Sequence, residues 1–426
     1  MSVYLMAKPH DTSTGTGSIA ALYAILAYQG YAMAINGIGA PFIAANFGLG
    51  DAGIARLYAW ISPSALGVLL LSRLADRVGR RRVLLACTAA TPVAALAAAA
   101  AAVARNAVLF VLCDMVLYAF IGAAVFVAVV MLAESLAMEH RARGQSYGGL
   151  AMAVGAGCCL MLMPLLEHNG LSWRWLLVIV GGGLLGVPLL PRAIPESRRW
   201  REAADSGATR AARLLDLFGA RYRARAVPIA VCVFLSVMAG TSADAWSYYR
   251  AVSSVGLSAA TASVLVLTCG GLSLVGFPLG AWACERFGRV PTVVVCWLLA
   301  GAGAVSFYWG PPAGFAVPVY WLGASFFWLK TADNAAIVGF RSAGTELFPT
   351  ALRGTMIGWT ALIGAVGVVV GQSSIALLAG PLGGLSRVVG YLALLSLPAA
   401  FIFGWFVDET RGLSLEAAGE SRTVGR

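Results

Sequence analysis

The chain has 426 residues, of which 60% are hydrophobic and only 12% are charged. Soluble domains carry roughly a quarter charged residues, so this composition excludes an ordinary soluble protein and predicts one that resides in a bilayer. The formal net charge is +11, from 30 Lys and Arg against 19 Asp and Glu. Such a charge could indicate a nucleic-acid-binding protein, so the positions of the basic residues decide its meaning.

Apolar runs long enough to cross a bilayer, about 20 residues each, recur twelve times along the chain. In chain order they lie near 19–47, 55–75, 83–104, 107–133, 146–166, 173–194, 226–249, 259–283, 292–309, 315–343, 354–379 and 387–407. Six of these runs fall in each half. The sequence therefore predicts an all-α membrane protein with twelve transmembrane helices in two six-helix bundles, 1–194 and 226–407, joined by a linker at 195–225 and followed by a tail at 408–426.

Three charged motifs occur once in each half, in the same order and about half a chain length apart. Each motif lies at the end of a predicted span or in a short connector. The pairs are Asp76–Arg82 with Glu285–Arg289, Glu134 and Arg141 with Glu346 and Arg353, and 195–198 with 408–411. A parallel repeat in a hydrophobic chain is typical of secondary transporters built from two helix bundles.

The basic residues lie mostly on one side of the predicted bundles. With the N-terminus in the cytoplasm, about two dozen of the Lys and Arg are cytoplasmic, including Arg80–Arg82 and the basic run within 198–225. An excess of this kind orients membrane proteins, so we expect both termini in the cytoplasm. The protein is then expected in the inner or plasma membrane, with its basic face toward membrane lipid and not nucleic acid.

In these motifs the chain resembles the major facilitator superfamily over its whole length, within the branch that holds sugar porters, organic-ion carriers and aromatic-acid/proton symporters. The similar segments are Asp76–Arg81, 195–200, Glu346–Arg353 and 408–412. The resemblance implies the major facilitator fold, with transport by alternating access as the two bundles rock about a central site.

Charged side chains at the mouth of a bundle can pair across the interface when the bundles touch, and they become hydrated when the bundles separate. We therefore predict a cytoplasmic gate. Its candidate residues are Asp76, Arg77, Arg80, Glu134, Arg141, Glu196, Glu285, Arg286, Arg289, Glu346, Arg353, Glu409 and Arg411. The arginines could instead serve only to fix the topology, an alternative that we favour for Arg81, Arg82 and Arg199.

The chain departs from the family in its first, fourth and fifth spans. Gln29-Gly30-Tyr31-Ala32 lies where aromatic-acid symporters have Asp-Gly-Tyr-Asp, so both acids of that signature are missing. Asp114 lies in span 4, where many relatives have an arginine. Span 5 also lacks the glutamine of sugar porters and the Gly-Pro signature of drug antiporters, which argues against a hexose carrier and a multidrug antiporter.

Four ionisable residues stand out near the middle of the membrane, where a charge costs several kcal/mol and marks a pathway, a relay or a buried pair. They are Asp114, Asp244, Lys330 and Asp333. Lys330 and Asp333 are three residues apart on one helix, so they could form a structural ion pair or a substrate site. Asp114 has no partner nearby in the sequence, and we expect it to carry a proton. Asp244 lies near the outer surface, where hydration is a sufficient alternative.

Several uncharged side chains are further candidates for a central cavity. Trp328 lies two residues from Lys330, and Trp246 follows Asp244, so either ring could contact an organic solute; packing is the alternative for each. The remaining candidates are Gln29, Tyr31, Asn36, Trp359 and Gln372.

These features predict a secondary active transporter for a small organic ion or metabolite, with protons as the coupling ion if transport is coupled. A uniporter, a metabolite exporter and a solute sensor that does not transport remain as alternatives. The three His lie in predicted tails or loops and the eight Cys lack metal-ligand spacing, so we expect no metal, no cofactor and no enzymatic site. We also expect a monomer.

Overall fold

The computed structural model describes residues 16–136, 141–196, 222–310, 319–348 and 350–411, so most of the predicted linker and tail lies outside the described residues. In the described part of the chain the secondary structure is helical, without strands. The helices of the first half are α1 (Thr16–Phe47), α2 (Asp51–Ile61), α3 (Ser64–Val78), α4 (Arg80–Val103), α5 (Ala107–Ser135), α6 (Arg141–His168), α7 (Trp175–Gly181) and α8 (Leu190–Ala193). Those of the second half are α9 (Arg223–Ala245), α10 (Ser247–Tyr249), α11 (Ala259–Leu272), α12 (Gly276–Phe287), α13 (Arg289–Trp309), α14 (Val319–Glu346), α15 (Thr350–Leu378), α16 (Leu385–Ala393) and α17 (Ser396–Phe406).

Ten helical segments of the described chain are long and apolar enough to cross a membrane, and they coincide with ten of the twelve predicted spans. The predicted span 173–194 is instead divided into short helices after Gly181, because successive glycines weaken a helix and Pro188 and Pro191 remove backbone donors. The predicted span 315–343 falls on α14, which is long enough but carries several polar residues in its middle. The count of twelve therefore stays a prediction.

Two glycines end helices at equivalent points of the repeat. Gly79 follows α3 with a φ of 119°, and Gly288 follows α12 with a φ of 107°. Residues with a side chain rarely adopt such positive backbone φ angles, so glycine is required at both turns. The turns reverse the chain between spans and bring the repeated charged motifs to the same end of the molecule.

Other glycines let helices approach closely. A Cβ atom at Gly155 of α6 would lie 1.9 Å from the carbonyl oxygen of Ala27, and one at Gly30 of α1 would lie 2.3 Å from that of Met152. Neither position has room for a side chain. Helices inside a bilayer associate through such contacts because no hydrophobic effect drives them together.

The two ends of the molecule differ in how the halves meet. We call the end with the repeated motifs the linker end, and the end with the turns at 48–50, 104–106 and 379–384 the far end. At the far end, Asp51 of the first half accepts hydrogen bonds from the Tyr249 hydroxyl (2.8 Å) and the Leu385 amide (3.0 Å) of the second. The Ser263 hydroxyl also donates to the Leu160 carbonyl at 3.0 Å. These bonds hold the halves together at the far end.

Candidate functional site

The linker end of the first half is organised around the start of α4. Arg80 forms an ion pair with Glu134 near the end of α5, and its guanidinium also lies 3.4 Å from Asp76. Glu196 accepts a hydrogen bond from the Arg81 amide at 2.9 Å. The first amides of a helix lack partners within the helix, and a carboxylate there is favoured by the helix dipole. Glu196 therefore caps α4.

The second half repeats this arrangement at the start of α13. Arg289 forms an ion pair with Glu346 at 3.2 Å. Glu409 accepts hydrogen bonds from the amides of Arg289 (3.0 Å) and Val290 (2.9 Å), so it caps α13. The Thr410 hydroxyl additionally donates to Glu346. Both halves thus join the ends of three spans with one arginine and two glutamates.

The ion pairs of Arg80 and Arg289 each lie within one half. The predicted gate instead requires ion pairs between the two halves, in a conformation whose halves touch at the linker end. The cross-interface gate therefore stays a prediction. Among its other candidates, the exposed residues are Arg77, Glu285, Arg286 and Arg411. The side chains of Arg141 and Arg353 lie outside the described residues.

Asp114 lies inside the first half, and its side chain is only 1% exposed. The side-chain amide of Asn36 on α1 donates a hydrogen bond to its carboxylate at 2.7 Å. In the described part of the chain no basic side chain lies within ion-pair distance of this carboxylate. Burial disfavours the charged form of a carboxylate, and a neutral partner offsets only part of this cost. The Asp114 carboxylate is therefore suited to binding a proton.

Two tyrosines complete the surroundings of Asn36. The Tyr118 hydroxyl accepts a hydrogen bond from the backbone amide of Asn36 (3.1 Å) and donates one to the Met33 carbonyl (2.7 Å). The Tyr58 hydroxyl donates to the Asn36 carbonyl at 2.7 Å. The carboxylate of Asp114 is therefore connected through Asn36 to α2.

From α2 the contacts continue into the second half. The ring of Tyr58 lies 5.0 Å from the buried ring of Trp246 in an edge-on arrangement. The Trp246 indole donates to the side-chain oxygen of Gln372 at 3.1 Å. Two predicted cavity residues, Trp246 and Gln372, thus bind each other at the interface between the halves, and Tyr58 links them to the Asp114 site.

Lys330 forms its ion pair with Asp244 of α9, and the two side-chain atoms lie 3.0 Å apart. Of the two alternatives for Lys330 and Asp333, the ion pair within α14 does not form, because Lys330 pairs with a partner on another helix. The side chains of Lys330 and Asp244 are 21% and 54% exposed, so the described helices do not enclose the pair. Asp244 is accessible, as expected, but it is paired and not merely hydrated.

Asp333 points toward α9 from the same helix as Lys330. A Cβ atom at Gly240 would lie 3.5 Å from its carboxylate oxygen. The carboxylate lines a small cavity between α9, α13, α14 and the last helices. Asp333 is therefore partly buried within the second half and near the Lys330 pair, without a salt bridge to it in the described structure.

The structure corrects three further candidates. Trp328 is 49% exposed and lies about 200° around the helix from Lys330, so it does not contribute to the same site. Gln29 is fully buried and bonds to Thr91 of α4 at 3.4 Å. The Tyr31 hydroxyl donates to the Leu176 carbonyl at 3.4 Å, which makes it a packing residue.

Trp359 packs against the core of the second half, beside the cluster that contains Phe403. Sequence reasoning missed Tyr58, Tyr118 and Asp51. Tyr118 carried a usable signal, because it lies four residues after Asp114 and therefore on the same helix face. Tyr58 and Asp51 carried none, since their contacts join distant parts of the chain.

Comparison with known proteins places this architecture in a family. The chain matches the model of the Major Facilitator Superfamily over residues 20–372. A gentisate transporter of Corynebacterium glutamicum is 28% identical over 260 residues, which cover 59% of this chain and 56% of that protein. A gallate transporter of Pseudomonas putida is 27% identical over 388 residues, which cover 82% of each protein. The chain thus spans little more than half the length of the first relative and most of the second.

Solved structures agree with this assignment. The crystal structure of a D-xylose-proton symporter superposes with a TM-score of 0.72 and 17% identity, covering 93% of this chain and 99% of that one. A bacterial homolog of the human lysosomal transporter Spinster superposes with a TM-score of 0.69 and 15% identity, covering 93% and 97%. These likenesses show the fold, and the family match confirms the resemblance inferred from the motifs. The chain belongs to the Major Facilitator Superfamily.

Proposed function

We propose that the protein is a secondary active transporter that moves a small aromatic carboxylate together with protons. Its twelve spans would form two six-helix bundles that give alternating access to a site between them. Gentisate and gallate, the compounds named for two relatives, are both aromatic carboxylates. A cargo of this class needs a cation in the membrane interior and an energy source.

The accessible ion pair of Lys330 and Asp244 is the observation that carries this proposal. An ammonium group inside a membrane is costly and is retained where it has a function. The pair is exposed enough for a cargo carboxylate to replace Asp244 at the ammonium group. Because one carboxylate would replace another, the site would exchange partners without leaving the lysine charge uncompensated.

Asp114 is our candidate for the proton carrier. When it takes up a proton its charge disappears, and its bond to Asn36 changes in strength. The contacts from Asn36 through Tyr58 to Trp246 reach the interface between the halves. Protonation can therefore favour one of two bundle arrangements, which is the requirement for coupling. Asp333 is the second candidate, because it lies beside the proposed cargo site.

We place the linker end in the cytoplasm of the inner or plasma membrane, following the excess of basic residues there. The far end, which the Asp51 hydrogen bonds close, would then face outward. In this arrangement the described conformation is closed to the outside.

Uptake of labelled gentisate into proteoliposomes tests the proposal. Gentisate should accumulate above its external concentration when the outside is made more acidic than the lumen. Equilibration without accumulation would identify a uniporter, and accumulation only with an acidic lumen would identify an exporter. Binding of gentisate without counterflow would identify a sensor. Gallate should compete, whereas xylose should not.

A further inference from the structure

We propose a second anion-binding site at the far end of the molecule, suited to an aromatic carboxylate from the surrounding solution. This site is separate from the Lys330 pair and does not depend on transport. It occupies a cavity of about 400 Å³, within the range of small-molecule sites. Its lining includes Asp51, Arg250, Trp309, Arg387 and Tyr391.

Arg250 supplies the inner cation of this cavity. It begins a short π-helical segment, Arg250–Ser254, a rare geometry that often occurs at functional sites. Its buried Nε atom has no hydrogen-bond partner within the described residues. Burial lowers the pKa of Arg250, with Tyr308 opposing this effect, as expected for a partly buried cation without an ion pair in the described structure.

Arg387 supplies a second cation at the exposed rim of the cavity. In the described structure neither arginine forms an ion pair. Asp51 is the one acidic residue of the lining, and both of its carboxylate oxygens already accept hydrogen bonds, from Tyr249 and Leu385. The cavity therefore has an excess of positive charge, and guanidinium groups bind carboxylates through paired hydrogen bonds.

The wall beside Arg387 is aromatic. The rings of Trp309 and Tyr391 lie 5.0 Å apart in an edge-on arrangement, and both are exposed. The Trp309 indole donates to the Arg387 carbonyl at 3.3 Å, which fixes this wall to the rim. A ligand with a carboxylate and a flat ring can contact the arginines and the aromatic wall together.

Both halves contribute to the cavity, since Asp51 belongs to the first half and the arginines to the second. The complete cavity exists while the Asp51 bonds hold the far end closed. A ligand bound there would therefore favour this closed state, because it binds one arrangement of the halves better than the other. Outside solute at high concentration would thus slow reopening of the carrier.

Binding of labelled benzoate to the full chain in nanodiscs of neutral lipid tests this site. The measurement uses Lys330→Gln as the background, so that it does not depend on the proposed transport site. We expect one benzoate site in this background, and at least about tenfold weaker binding when Arg250→Gln or Arg387→Gln is added. Arg105→Gln, which changes an exposed arginine at the same end but outside the cavity, should leave the affinity unchanged.

Arg387 is exposed, so its variant should fold even if the Arg250 variant does not. Unchanged benzoate affinity in the Arg387→Gln and Arg250→Gln proteins would overturn the proposal, as would absence of binding in the Lys330→Gln background. Nanodiscs with phosphatidylglycerol distinguish a solute from a lipid headgroup. We expect benzoate to bind in them with little change; complete displacement would assign the cavity to lipid phosphate and refute the solute site.

Discussion

In the first half of the molecule the buried carboxylate of Asp114 bonds to a neutral amide, whereas in the second half Asp244 pairs with the ammonium group of Lys330. The first site is closed to solvent and the second is accessible. At the linker end, by contrast, both halves carry the same arrangement of one arginine and two glutamates. The two halves therefore share the same charged contacts at the linker end but differ in the ionisable groups of their interiors.

The difference between the interiors separates two tasks. A buried carboxylate with a neutral partner changes its net charge when it binds a proton, and the surrounding protein responds to that change. An accessible ion pair responds to a competing anion, which can replace the carboxylate of the pair. Variants of the two sites should therefore affect different steps of transport.

Replacement of Lys330 should have the largest effect. Lys330→Gln removes the cation that would bind the cargo carboxylate, a change of about 2 kcal/mol, or roughly 30-fold in affinity for the cargo. Gentisate uptake in proteoliposomes measures it, with Lys330→Arg expected to retain part of the activity. Trp328→Leu is the matched control on the opposite face of the helix. A Lys330→Gln protein with normal affinity would remove the cargo site from this location.

Replacement of Asp114 should abolish coupling but not exchange. Asp114→Asn cannot carry a proton, so accumulation under an acidic outside should fall to the equilibration level. Counterflow should stay within about threefold of the wild-type rate, because exchange needs no net proton movement. Asp333→Asn is the control that separates the two carboxylates. Normal accumulation in the Asp114 variant with loss in the Asp333 variant would move the proton site into the second half.

Loss of the Tyr58 hydroxyl should have a moderate effect. Tyr58→Phe removes the hydrogen bond to the Asn36 carbonyl while keeping the ring against Trp246, a change of about 1 kcal/mol, or roughly fivefold. We expect a lower accumulation ratio with little change in cargo affinity. Tyr23→Phe removes a comparable bond, to the Gly144 carbonyl at the linker end, and should leave coupling intact. Equal effects of the two variants would contradict a specific link through Tyr58.

Replacement of the helix-capping glutamates should have the smallest effect. Glu409 accepts hydrogen bonds from two backbone amides at the start of α13, and Glu196 accepts from the Arg81 amide at the start of α4. Each glutamine variant keeps an oxygen acceptor and loses a favourable charge, a cost of about 1 kcal/mol or less. Thermal unfolding in detergent should show a lower midpoint for each variant than for the wild-type protein. Unchanged midpoints in both variants would contradict the capping role of these glutamates.

The sequence could predict features that depend on local composition. Ten helices that are long and apolar enough to cross a membrane coincide with apolar runs, and the repeated motifs indicated the family. Asp114 and Lys330 could be singled out because charges are rare inside spans. The span 173–194 was less predictable, because its composition is apolar while its glycines and prolines interrupt the helix.

The partners of these residues could not be predicted. Asn36 lies 78 residues from Asp114 in the sequence, and Lys330 and Asp244 lie on different helices, so helical spacing gives no information about either contact. Closeness in sequence also failed to predict closeness in space for Trp328, which lies two residues from Lys330 but on the opposite face of the helix. The missing information is the arrangement of helices around each other.

Proton movement driven by a cargo gradient would separate the two tasks in one measurement. Proteoliposomes with a pH-sensitive dye and a low concentration of unlabelled gentisate in the lumen receive a higher external concentration of labelled gentisate, without an imposed pH gradient. Protein-free liposomes provide the baseline. We predict acidification of the lumen with wild-type protein, exchange of gentisate without acidification for Asp114→Asn, and neither signal for Lys330→Gln. Acidification by Asp114→Asn at the wild-type ratio of protons to gentisate would contradict the assignment of the proton to the first half.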